Sequence, residues 1–562
     1  MNPDLALVSR AAVVVAAVLA VAVTVALERL AGSDRGPTLR RRFVLGVPWG
    51  TLTVAAFVLA VYLFVQGGWS HWYAPVVIPF RAWSYLAPLG VVVSPFAHAG
   101  PGHLLGNLFG TLALAPLVEY AVGHYPRRRG SSSFGSYREN PYVRAFVLFP
   151  AAAVAVGLLS GAFALGPVIG FSGVVFAFAG AALLYYPLGT VVALSAAGVV
   201  STTYRALSSP VVEASGRPAF VTPWWADIAI QGHALGLLLG ILAAAWLAAA
   251  RGDDLPPPRR LAIGALLVGV EQSLWAVYWF RGGGTYVLYR GIGLALVAVA
   301  AVLVAALAVG RDAPPAESIS EALRSLTPRR GSVAALLVVL AMLTGPALYV
   351  NFTAVNDDPL PGDPIEVHGY SVTYAEGVEN GMVSVVEFEA FGESTTVNTS
   401  GVVVRNPERG VWTTAVSKGR LAFAGRQQVV LGGVGWREVV TVRRQGWTTV
   451  GGDGPAYRVT LSHDNDSRVA FVSNASRAEP RIEGRVVSVV PTDRGFELLV
   501  EGDNASVRTA LPTENETVAA NGLQFERDGR AIYALAGEGN TSTGNATATR
   551  VRVATKERYG GQ

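Results

Sequence analysis

The chain has no cysteine among its 562 residues, which removes disulfides, thiol nucleophiles and cysteine-ligated metals together. Charge is also scarce: Asp, Glu, Lys and Arg supply 15% of residues, whereas apolar types supply 51%. A soluble globular chain carries more charge than this. Lysine is nearly missing, with only Lys418 and Lys556, so the basic residues are almost all arginine. Histidine occurs at seven positions, which leaves few candidates for imidazole chemistry.

Long apolar runs stand in place of charge. A helix needs about 20 apolar residues to cross a hydrocarbon core of about 30 Å. Ten runs approach this length, around 8–28, 43–66, 103–122, 142–163, 172–186, 189–204, 228–249, 260–280, 289–309 and 332–350. The first lacks a small-residue cleavage site and is followed by Glu28 and Arg29, so it reads as a retained helix.

Arginine placement predicts the orientation, because positively charged short loops stay in the cytoplasm. With the N-terminus outside, the inner loops hold Arg29, Arg35, Arg40 to Arg42, Arg127 to Arg129, Arg138, Arg251, Arg259, Arg260, Arg311, Arg324, Arg329 and Arg330. The outer segments hold only Arg10, Arg81, Arg205, Arg217, Arg281 and Arg290. The surplus arginine thus has a topological explanation, and no nucleic-acid partner is expected.

Everything after about residue 350 then falls outside. All eight N-x-S/T sequons lie there, at Asn351, Asn398, Asn465, Asn474, Asn504, Asn515, Asn540 and Asn545. The tail alternates apolar and polar residues in "MVSVVEFEAF", "REVVTVRR" and "FELLVEG", with Gly, Asn and Asp between them. Period two with such punctuation predicts short antiparallel strands.

One hydroxyl sits oddly. In "GPVIGFSGVVFAFAG", Ser172 follows a glycine-rich stretch and precedes an apolar run that reaches only Tyr186 before Pro187. Fifteen residues at 1.5 Å each span about 22 Å, short of the bilayer core, so this helix should begin within the membrane. Irregular backbone at that depth is tolerated only when buried in protein or lining a wet cavity. A serine at a helix start lies beside unpaired N–H groups and the positive dipole end, which suits an oxyanion.

A base is needed as well. His233, in "IAIQGHALGLLLG", is the histidine set within a strongly apolar helix. Gly236 and Gly240 give its helix a G-x-x-x-G face, while Gly173, Ala177 and Gly180 give the serine helix a small-residue face. A Ser–His pair is the minimum for nucleophilic acyl chemistry. In "HAGPGHLLGN", His103 and Asn107 are four apart and share a helix face, with His98 just ahead of them.

With these three motifs in order, the chain resembles the rhomboid intramembrane serine proteases. The resemblance rests on H-x4-H-x3-N from His98 to Asn107, G-x-S-G from Gly170 to Gly173, and G-H-x2-G-x3-G from Gly232 to Gly240, and it covers about residues 43–250. It implies a six-helix core in which Ser172 is the nucleophile and His233 the base. It implies further that His103, Asn107 and the Ser172 N–H hold the oxyanion, Gly170 shapes the loop, and His98 orders the cavity. Two departures stand out: Trp83 is followed by Ser84 where the family often has arginine, and Phe176 stands where it often has tyrosine.

Plainer readings were weighed. Ser172 could be a packing residue and His233 a buried histidine bonded to a neighbouring helix. His98 and His103 lack an acidic or cysteine ligand at metal spacing, so neither metal nor cofactor is expected. Glu271 reads as an intramembrane acid bonded to Gln272 or to a neighbouring helix. His71, His124, His368 and His463 read as loop or surface residues.

The expected fold class is therefore an all-α polytopic membrane protein with a C-terminal all-β extracytoplasmic domain. The divisions are an extra helix and loop at 1–42, a rhomboid-like core at 43–250, three additional transmembrane helices at 251–350, and the sequon-bearing domain at 351–562. The expected function is an intramembrane serine endopeptidase of the cell membrane acting on transmembrane protein substrates. The rivals are an inactive scaffold binding membrane clients and a transporter with a broken helix. An envelope partner for the tail is left open.

Overall fold

The computed structural model describes residues 3–30, 37–125, 136–210, 223–226, 228–282, 285–309, 327–352, 360–381, 389–390, 393–394, 397–503, 505–536 and 549–560. Arg35, Arg127 to Arg129, Arg217, Arg311, Arg324, Asn504, Asn540, Asn545 and most of "MVSVVEFEAF" lie outside them.

The described residues up to Phe352 form a mainly helical body. Its helices are α1 (Pro3–Leu30), α2 (Trp49–Val65), α3 (Pro101–Val122), α4 (Pro141–Ala162), α5 (Ser172–Tyr185), α6 (Pro187–Ser208), α7 (Ile230–Arg251), α8 (Pro258–Glu271), α9 (Arg290–Ala306) and α10 (Pro328–Phe352). Among the described residues, five are long and apolar enough to cross a membrane: α3, α4, α6, α7 and α10. Proline opens most of them, where its missing N–H would have no intrahelical partner anyway. The shorter α5 is the most enclosed, with every residue from Gly173 to Gly180 buried.

The run at 260–280, expected as one crossing, divides. Its helix α8 stops at Glu271, Ser273 takes a φ of +58°, and Tyr278–Gly282 pairs antiparallel with Thr285–Leu288. Trp279, Phe280, Tyr286 and Val287 favour strands over helix, and local preference prevails there over the hydropathy of the whole run. Glu271 accepts from Ser195 Oγ of α6 at 3.3 Å, a bond to a neighbouring helix.

One buried network around an acid–base pair ties the body together. Glu119 of α3, 1% exposed, accepts from the N–H groups of Gly50 and Thr51 at 2.7 and 2.8 Å and from Thr51 Oγ1 at 2.7 Å. It thereby caps the N-terminus of α2 with a negative charge, where the dipole favours one. His124 completes the network: Nε2 meets Glu119 at 2.5 Å and Nδ1 accepts from Val44 N at 2.9 Å. His124 lies in the loop after α3, as read, but is 1% exposed, so its reading as a surface position is corrected.

The tail is β-rich, as its period-two pattern indicates. An eight-stranded antiparallel sheet runs through Trp436–Thr449, and two four-stranded sheets contain Tyr370–Glu379 and Phe496–Glu501. It is not purely β, because Lys418–Ala424 forms a short helix started by Ser417 Oγ accepting from Arg420 N.

The tail sits on the segment between α2 and α3. Trp83, 3% exposed, enters the same apolar cluster as Ile365, Val367 and Leu431. Val76 packs on Gly432, where an added Cβ would come within 2.6 Å of its side chain. Asn351 at the end of α10 bonds to Ala164 just before the Ser172 stretch, so tail and serine lie at one end of the helical body.

Candidate active site

Four segments converge at that end. Helix α5 starts at Ser172 itself, preceded by irregular, bent backbone from Ala164 to Gly170. Among the described residues no hydrogen bond occupies the Ser172 N–H, as expected for the first residue of a helix. The stretch is pinned by Gly170 N donating to Ser94 O at 2.9 Å and Ala82 N donating to Val168 O at 3.0 Å. Arg81 adds a bond from Nη1 to Pro167 O at 2.8 Å.

Helix α7 lies directly against α5. A Cβ on Gly236 would stand 2.0 Å from Gly173 O, and one on Gly240 2.0 Å from Ala177 O, so no side chain fits at either position. A Cβ on Gly173 would lie 3.8 Å from Gly232 O, which puts the neighbours of Ser172 and His233 in backbone contact. The His233 ring stacks on Phe176 with centroids 4.2 Å apart and planes 14° from parallel. Phe176 is one turn after Ser172, so imidazole and hydroxyl occupy one helix face. His233 Nδ1 is buried without a partner, and among the described residues no hydrogen bond joins Ser172 to His233.

The third segment brings the other histidines. Gly170 has a φ of +129°, and a Cβ there would strike the His103 ring at 2.4 Å, so both conformation and space require glycine. His103 makes no hydrogen bond among the described residues and stands edge-on to His98 at 5.2 Å. His98 is fully buried: Nε2 lies 3.0 Å from Asn107 Nδ2 and 3.5 Å from Phe171 N. Asn107 therefore spends one N–H on His98 and keeps only its second for another acceptor.

Glutamines that the motifs do not contain hold this arrangement. Gln66, fully buried at the end of α2, donates to His98 O at 2.8 Å and accepts from His98 N at 2.7 Å. Its Nε2 also reaches Val76 O at 2.8 Å. Gln231, two residues before His233, accepts from Leu165 N and donates to Phe163 O and Leu343 O, both at 2.9 Å. A lone amide at one end of an apolar run, closing it at Gln66 and opening it at Gln231, is the sequence signal for these residues.

The sequon reading needs one correction. Asn351 is 2% exposed and its Nδ2 donates to Ala164 O at 2.9 Å, so its amide is inaccessible and occupied. Asn398, Asn465, Asn474 and Asn515 are exposed.

No curated protein and no solved structure matches the chain. Residues 82–250, from the loop that carries Trp83 to the end of α7, match the family model of the Rhomboid domain. The chain thus carries over residues 82–250 a segment similar to the Rhomboid domain, and four of its described helices long and apolar enough to cross a membrane begin within that segment.

Proposed function

We propose that this protein is an intramembrane serine endopeptidase that cleaves transmembrane protein substrates through Ser172 and His233. The observation that carries the reading is the seating of His233 on Phe176, one turn below Ser172, across the glycine contact between α5 and α7. Arginine bias and the exposed sequons favour a cell-membrane location with the tail and the site on the outer face.

In this reading Ser172 Oγ attacks the substrate carbonyl carbon while His233 takes the hydroxyl proton. Nδ1 is the enclosed nitrogen, so Nε2 is left to accept it. The developing oxyanion is met by the Ser172 N–H, by the unengaged His103 ring and by the second N–H of Asn107. Collapse breaks the C–N bond, and the leaving amine takes the proton from His233. Water then repeats the sequence on the ester and frees Ser172. His98 holds Asn107 in place, and neither metal nor cofactor enters. The core extends back to residue 43, because the Glu119 cap binds α2 to α3.

A substrate helix must unwind to present its amide, so Gly or Pro near the cut favours cleavage. Full-length protein in proteoliposomes should cut a reporter transmembrane segment. Ser172→Ala and His233→Ala should each lower turnover by about a thousandfold or more, and unchanged turnover in either overturns the proposal.

The second reading is a scaffold that binds membrane clients without cutting them, favoured by the missing Ser172–His233 hydrogen bond. Catalytic hydrogen bonds often tighten only when substrate is bound. A fluorophosphonate separates the two: an active enzyme is labelled at Ser172 and an inert scaffold is not.

A further inference from the structure

The tail carries a cleft of about 1030 Å³ that the protease reading does not use. It is lined by Arg426, Arg443, Arg444, Arg527, Arg530 and Lys556, with Glu557 as its acid. Glu557 is already engaged, accepting from Arg444 Nε and Nη2 at 3.0 and 2.8 Å and from the Tyr559 hydroxyl at 3.0 Å. Little negative charge is left for the other five cations.

Two independent features show that deficit. Arg426 and Arg443 face each other across the antiparallel pair Arg426–Gly433 and Trp436–Thr449, both exposed, with no side-chain partner among the described residues. Like charges directly opposite in a ladder repel. Arg444 is 3% exposed, yet its Nη1 is enclosed without a partner among the described residues. Its guanidinium is held by Glu557 and lies 3.5 Å over the Tyr457 ring, so the cations open to the cleft are the other five. Lys556 agrees, held below its usual lysine value by burial and by nearby Arg527 and Arg530.

The position of the cleft says where an acceptor comes from. Ala74, from the segment after α2, forms part of its wall, and Arg437 Nη2 reaches Ala74 O at 3.5 Å. Beside it Tyr73 is 85% exposed, and Trp69, 74% exposed, stacks with exposed Phe64 of α2. Exposed aromatics at the end of an apolar helix mark the level of lipid headgroups. Guanidinium groups at that level match the oxygens of a phosphate.

We propose that this cleft binds the phosphate of an anionic phospholipid headgroup and seats the tail on the bilayer. The proposal does not depend on catalysis. Full-length protein in detergent, mixed with phosphatidylglycerol or phosphatidylcholine, is assayed by native mass spectrometry for retained lipid. Wild type should retain phosphatidylglycerol about tenfold or more over phosphatidylcholine. Arg426→Gln with Arg443→Gln, both at exposed positions, should abolish most of that preference, while Arg508→Gln elsewhere on the tail should keep it. Millimolar glycerol phosphate should not displace the lipid. Equal retention of the two lipids, an unchanged preference in the double variant, or displacement by glycerol phosphate would each overturn the proposal, the last by showing a site for a soluble anion.

Discussion

Asn351, where α10 ends, donates its side-chain amide to the carbonyl of Ala164 at 2.9 Å, joining positions 187 residues apart. The backbone carbonyl of Asn351 accepts in turn from Tyr85 N at 2.9 Å. A helix outside the rhomboid domain thus grips the segment leading into Ser172 from one side and the loop holding Trp83 from the other. Gln231 adds a second stitch to α10 at Leu343 O.

Replacing Asn351 by Ala should therefore displace the serine segment without touching the chemistry. Small misplacements of a reacting group cost up to about a hundredfold. The expected result is a fall in kcat of about ten- to a hundredfold with KM little changed, measured on a reporter segment. A purely structural role would lower both together with the melting temperature.

Glycopeptide mapping should find Asn351 unmodified whenever the tail is exported through a glycosylating membrane. The exposed Asn398, Asn465, Asn474 and Asn515 are the acceptors to examine. A glycan on Asn351 would mean that the bond to Ala164 is absent in the native protein.

Gly236 and Gly232 lie one turn apart on α7 yet should respond oppositely to the same methyl group. Gly236→Ala drives a Cβ into Gly173 O, an overpacking that costs about 1–3 kcal/mol and should separate His233 from Ser172. Gly232→Ala meets nothing within 4 Å and should leave thermal unfolding unchanged. Melting curves and fluorophosphonate labelling of both variants check this.

Glu119→Gln removes the charge that caps α2. Hydrogen bonds to a charged group contribute about 1.5–3 kcal/mol each, so a clear drop in melting temperature in detergent is expected. His124→Ala should mimic part of it, because it frees Val44 N and Glu119 together.

Alkali should loosen the tail. Burial, reinforced by the neighbouring Glu376, pushes the Tyr374 hydroxyl well above its usual value, and burial with Glu557 does the same for Tyr559. Folding thus favours the neutral phenols, and their contribution is intact below about pH 10 and disappears as the pH rises beyond it. Tryptophan fluorescence of the full chain followed upward from pH 9 should report the loss. Tyr374→Phe should flatten the profile.

How much of this could be read beforehand follows from the kind of signal involved. The contact between α5 and α7 is written locally, in glycines spaced to share a face, and the β-rich tail is written in its alternation. Gln66 on His98, Asn351 on Ala164 and Trp83 in the tail cluster pair segments far apart in the chain, and such pairs leave no periodicity to detect. His124 misled because a histidine in a loop just past a helix end looks solvent-exposed until its partner at Glu119 is seen. The run at 260–280 misled for the converse reason, since hydropathy sums hide a local preference for strand.

The burial of Trp83 within the tail has a mechanical side. Its two predecessors, Arg81 and Ala82, are bonded to Pro167 and Val168, so three consecutive residues link the β-rich tail to the backbone four or five positions ahead of Ser172. A load applied to the tail cannot be absorbed by a slack tether; it arrives at Gly170 as strain.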